Sequence, residues 1–163
     1  MKIGKGDLES AMKFFVRSSG VLLFITALAK IISAFGIQPI LARTDPILII
    51  SYRNLFWSVG GIELVVAAFC LLQNRMLVNL GLIAWISSEV LVYRLGLWLI
   101  GWKLPCVCLG SMTGAIHIPQ NVAALIMRCV LSYLAIGSFY ILYRLWRQDE
   151  RRSDSVPQNV HME

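Results

Sequence analysis

Charge is scarce in this chain. Only 15% of its 163 residues are Asp, Glu, Lys or Arg, against about 25% in a soluble domain. There is too little charge to solvate a water-facing surface all round. Acidic groups are the scarcer sign, nine against fifteen basic ones. There are two histidines, His117 and His161, and neither has a visible partner in the sequence. No nucleotide-binding loop, no acid–base catalytic motif and no complete metal-ligand set is present. No segment alternates apolar and polar residues over about ten positions, which excludes membrane β-barrel strands. No internal repeat is found, so a transporter built from repeated halves is the weaker reading. The first apolar run has a basic approach (Lys2, Lys5, Lys13, Arg17). It is long, Lys30 interrupts it and no Ala-x-Ala site follows, so a membrane span is preferred over a cleaved signal sequence.

Apolar residues make up 58% of the chain, and they are gathered into segments. A helix needs about 20 mostly apolar residues to cross roughly 30 Å of hydrocarbon. Residues 14–35, 55–72, 77–100 and 122–143 meet that requirement. The chain reads as all-α: one four-helix transmembrane domain over residues 1–152, followed by a disordered polar tail over 153–163. The third segment is the longest, which suggests tilt.

Basic residues give an orientation. With four spans both termini share a side, and that side collects Lys2, Lys5, Lys13, Arg17, Arg75, Arg144, Arg147, Arg151 and Arg152. The other side has Arg43, Arg53 and Lys103. This asymmetry places both termini in the cytoplasm. The net charge of +6 is then accounted for by topology and anionic lipid, with no need of nucleic acid. A tight turn over 73–76 makes the second and third helices antiparallel neighbours. Residues 36–54 form one exterior loop, whose short apolar patch over 46–50 reads as a segment lying at the interface. Residues 101–121 form the other exterior loop, punctuated by Pro105, Gly110, Gly114 and Pro119. Trp98, Trp102, Tyr143 and Trp146 fall at helix ends and read as interfacial anchors.

Two features carry candidate chemistry. The first is Cys106-Val107-Cys108 in the second exterior loop, which in a bacterial cell is an oxidising compartment. Redox use, a contribution to a metal site and two unrelated loop cysteines all stay open. Tetrahedral zinc takes four ligands, and only His117 and Cys129 are near in sequence, so no metal site is assigned. A disulfide across one intervening residue closes a small, strained ring, and strain makes such a bond labile rather than structural. Cys70 reads as a small buried apolar residue. Cys129, nearer the loop's depth, reads the same way with less separation from the chemistry.

The second feature is a set of ionisable residues inside the spans: Lys30, Glu63, Glu89, Arg94 and Arg128. A charge at the bilayer centre costs about 2.5–3.5 kcal/mol on insertion scales, so these groups should face inward and pair. At about 1.5 Å per residue, Glu63 and Glu89 fall near the midplane and the three cations in the exterior half. Glu63 is expected to pair with Lys30 or Arg94, and Glu89 with Arg94 or Arg128. Such a network fixes helix order. It also suits a pocket for a redox partner such as a quinone, or a device that favours the thiolate.

These residues carry a resemblance. Arg17, Gly20 and Ala29-Lys30 in the first helix, Gly60-Gly61-Ile62-Glu63 in the second, and Pro105-Cys106-Val107-Cys108-Leu109-Gly110 after the third are similar to the DoxX-like/MauE group of small four-helix membrane proteins. Leu109 stands where that group usually has Phe. The likeness covers roughly residues 14–145. It implies a four-helix bundle in a bacterial inner membrane, thiol–disulfide processes at Cys106 and Cys108, and a protein partner in the membrane or periplasm. It implies no firm cofactor. The alternative is a non-catalytic subunit or assembly factor of a larger membrane complex.

Overall fold

The computed structural model describes residues 5–36, 39–73, 75–101 and 120–153. Four α-helices account for most of them: α1 (Lys5–Ala34), α2 (Tyr52–Leu72), α3 (Met76–Leu99) and α4 (Gln120–Ser153), with a short 3-10 turn at Pro39–Ala42. Each helix contains a stretch long and apolar enough to cross a membrane: Glu9–Ala34, Tyr52–Leu72, Met76–Leu99 and Leu125–Arg147. Large apolar side chains such as Phe14, Ile25, Val65, Val92, Leu125 and Ile136 point outward. A soluble monomer rarely exposes so much contiguous apolar surface. In a bilayer these faces meet hydrocarbon.

The helices run past the apolar segments that announce them. The longest candidate span is the first, with 26 residues against 24 in the third, so the expected order of lengths is corrected. Polar helix-formers continue α1 toward its start, and Lys13 and Glu9 pair there at 2.6 Å, one turn apart. α2 starts at Tyr52, three residues before its apolar run, because Ser51 caps it by accepting from the Asn54 amide at 3.4 Å. α4 has 34 residues and is about 51 Å long, beyond the roughly 30 Å of hydrocarbon. Ring contacts one turn apart support its polar end: Tyr143 with Trp146 at 6.3 Å and Arg144 over Tyr140 at 5.5 Å. The region read as a disordered tail, beyond Ser153, lies outside the described residues.

Pairing is uneven. α1 packs chiefly on α2, and α3 chiefly on α4; the direct α2–α3 contact is small despite the tight turn between them. The reason lies in small residues. A Cβ on Gly60 would sit 3.0 Å from Ile31 and 3.3 Å from the Ala27 carbonyl, and one on Gly20 would sit 3.1 Å from Cys70 and Leu71. Ala27 and Ala67 are fully buried. Without lipid-excluded water to drive association, membrane helices gain by approaching closely where side chains are small. The contacts of Gly20 with 70–71 and of Gly60 with 27–31 run in opposite senses, so the two helices are antiparallel. α4 returns against the start of α1, where the Phe15 ring lies over Gly137 and the Ser18 and Tyr133 hydroxyls are 2.8 Å apart. Ser33 and Ser87, both fully buried, spend their hydroxyls on their own helix: Ser33 on Ala29 at 2.6 Å, Ser87 on Ala84 at 3.0 Å. That keeps the polar atoms satisfied inside an apolar contact.

Candidate functional site

A charge pair lies in the α1–α2 contact. Lys30 Nζ donates to both carboxylate oxygens of Glu63, at 2.5 and 2.6 Å. Both residues are buried, 7% and 4% exposed. Gly60, one turn before Glu63, brings α2 close enough for this, since a Cβ there would meet Ile31 at 3.0 Å and would already touch the Lys30 Cβ at 3.4 Å. Thr26, one turn before Lys30, places its hydroxyl 3.3 Å from Glu63 Oε2 and 3.0 Å from the Leu23 carbonyl. The pair is thus bidentate and held from both helices, the geometry in which mutual attraction offsets desolvation.

The pair forms part of the wall of a cavity of about 520 Å³ between the two helix pairs. The cavity exists because α1–α2 and α3–α4 each pack tightly while the pairs touch each other less. Its wall is mostly apolar, with Phe56, Ile62, Val90, Met127 and Leu131 from three helices, and with Trp85 and Tyr93 from α3. Glu89 and Arg94 complete its charged lining.

The five intramembrane charges are therefore only partly brought together. Among the described residues the ion pairs are Lys30–Glu63 and Lys13–Glu9. The expected pairing of Glu89 with Arg94 or Arg128 is not formed. Five residues along a helix is a turn of about 140° beyond one full revolution, so Glu89 and Arg94 leave α3 on different sides. Glu89 is exposed at the open edge of the cavity. Arg128 on α4 is exposed and outside the lining.

A second polar cluster lies in the turn before α2. Asp45, only 1% exposed, accepts hydrogen bonds from the amides of Ile47 and Leu48 at 2.9 Å and from the Tyr93 hydroxyl. Its backbone closes the same turn, with Asp45 N to the Ile50 carbonyl at 2.8 Å and Ile49 N to the Asp45 carbonyl at 3.0 Å. Ile49 takes a left-handed φ of 57° to allow this. The patch over 46–50 is thus a closed turn pinned to α3 through Tyr93. Ile47 and Leu48 reach the cavity wall, and Gly96 makes room, since a Cβ there would be 3.0 Å from Ile47 Cδ1.

Burial pushes the Asp45 carboxyl up; the hydrogen bonds from Tyr93, the Leu48 and Ile47 amides and Tyr52 together outweigh it and hold the group below its ordinary value of 3.8. A carboxylate with a depressed folded-state pKa contributes stability above its unfolded value and loses it as pH falls through the folded one. The melting-temperature difference between wild type and Asp45→Asn is therefore expected to be flat from about pH 8 down to the ordinary carboxylate range, and to shrink only below it. A difference already shrinking near about pH 6 contradicts this assignment.

Cys106 and Cys108 lie outside the described residues, as do Lys103 and His117. Cys70 and Cys129 are free thiols, the first buried and the second exposed. Among the described residues no three His, Cys, Asp or Glu side chains gather as a metal site would require. Comparison with family models, with curated proteins and with solved structures returns no match.

Proposed function

We propose that this chain is an integral membrane protein that carries out thiol–disulfide exchange on the exterior face through Cys106 and Cys108. The observation that carries the reading is a Cys-x-Cys pair in the α3–α4 connection of four membrane-length helices, directly after a helix whose last turns hold Arg94. In this reading both termini are cytoplasmic, the membrane is a bacterial inner membrane, and the DoxX-like/MauE resemblance reflects a shared role. One cysteine thiolate attacks a sulfur of a partner protein's disulfide, forming a mixed disulfide and releasing the partner's other thiolate. The second cysteine attacks the mixed disulfide, releases the reduced partner and leaves Cys106 and Cys108 oxidised. Run in reverse, the pair passes a disulfide on. Arg94, Arg128 and Lys103 favour the thiolate.

The Lys30–Glu63 pair favours a second reading. It joins α1 to α2 without needing any chemistry, as suits a structural subunit or assembly factor of a larger membrane complex.

Labelling tests the exterior address on which the first reading depends. In a Cys70→Ala/Cys129→Ala background, a membrane-impermeant maleimide applied to reduced intact cells is expected to label Cys106 and Cys108. Labelling only after lysis contradicts the exterior address and with it the exchange reaction.

A further inference from the structure

We infer that the cavity between the helix pairs is a binding site for an uncharged, bilayer-borne amphiphile with a hydroxyl-bearing aromatic head. This rests on the chain spanning a membrane, but not on thiol chemistry at Cys106 and Cys108.

A volume of about 520 Å³ falls in the range of small-molecule sites, which are mostly apolar with a few placed polar groups. The lining is neutral in sum: Lys30 and Glu63 are in direct contact, while Glu89 and Arg94 are opposite in sign but apart. A charged ligand would bring a net charge into low dielectric, so a neutral one fits.

The placed polar group is Glu89. It stands in the apolar body of α3, lines the cavity, and among the described residues takes no hydrogen bond or ion pair. A carboxylate accepts only, so its complement is a donor, and on a neutral ligand that donor is a hydroxyl. Trp85, Tyr93 and Phe56 supply flat walls for a ring. Ile62, Trp85 and Val92 at the cavity's edge are 46%, 50% and 66% exposed, on faces that meet hydrocarbon in a bilayer. A tail therefore leaves sideways into lipid.

The probe is decyl-hydroquinone, titrated onto the full chain in phosphatidylcholine nanodiscs, with its dimethyl ether and decanoate as comparisons. Saturable one-to-one binding of the hydroquinone is expected. The ether, which cannot donate, should bind roughly tenfold to a hundredfold more weakly, the worth of a hydrogen bond to a charged group. Decanoate should not compete. Glu89→Leu should weaken the hydroquinone to the level of the ether, and Ile62→Trp, a filling change at the exposed edge, should remove binding. Unsaturable partitioning, equal binding of hydroquinone and ether, or displacement by decanoate overturns the proposal. The probe comparison uses the unaltered protein, so a variant that fails to fold does not decide it. Binding retained in Cys106→Ser/Cys108→Ser keeps this site separate from the exchange reaction. If that double variant also retains full function, the exchange reading fails while the cavity stands.

Discussion

Lys30→Met and Glu63→Gln are each expected to destabilise the protein by about 3–5 kcal/mol, and the double variant by less than either. Each single change leaves the other group charged or dipolar in a buried contact between helices. Lys30 without its carboxylate keeps an ammonium that is 7% exposed; Glu63 without its ammonium keeps a carboxylate with only the Thr26 hydroxyl at 3.3 Å. Removing both leaves a neutral contact between helices that Gly60 and Ala27 already hold close. The asymmetry follows from the difference between breaking a buried pair and replacing it. Unfolding in detergent for the three variants reads it directly, and strictly additive losses would show that the two side chains do not support each other.

Cys106→Ser and Cys108→Ser are each expected to abolish function while leaving the unfolding transition of the bundle where it was. Exchange needs an attacking and a resolving sulfur, so either serine stops the cycle at a different step. A disulfide across a single residue is strained, and a strained bond is passed on rather than kept. Cationic neighbours move a thiol from about 8.5 into the range of about 3.5–7.5, so the attacking cysteine should alkylate at neutral pH faster than Cys129, which is exposed on α4. The direct control is the alkylation rate against pH for each single variant. Equal, ordinary thiol behaviour of both, with full activity in the double serine variant, would leave the structural-subunit reading standing.

The two polar clusters differ in how far the sequence reveals them. The four helices are legible because an apolar run of membrane length has few alternatives. Lys30–Glu63 is legible for a related reason: two opposite charges inside spans cannot both stay alone. The helix ends are less so, since polar residues such as those after Tyr143 continue a helix without marking its limit. The pairing of Glu89 with Arg94 is not legible, because depth along a span carries no azimuth. Both lie at plausible heights, but they leave α3 in different directions. Asp45 and Tyr93, 48 positions apart, are joined only by tertiary packing. A local sign existed, because Thr44-Asp45-Pro46 is a turn-initiating sequence. What it could not give is the identity of the hydroxyl that meets the carboxylate. The cavity was not legible either, since it follows from unequal pairing of helices rather than from any one segment.

The decisive observation is the redox state of Cys106 and Cys108 in native membranes quenched with acid. Thiols are then blocked, and covalent partners are resolved without reductant. In Cys106→Ser or Cys108→Ser, the exchange account expects a reductant-sensitive adduct between this chain and a second thiol protein, formed through the remaining cysteine. In the unaltered protein it expects a mixture of free and oxidised pairs. Both thiols wholly free, with no adduct in either variant, would contradict it.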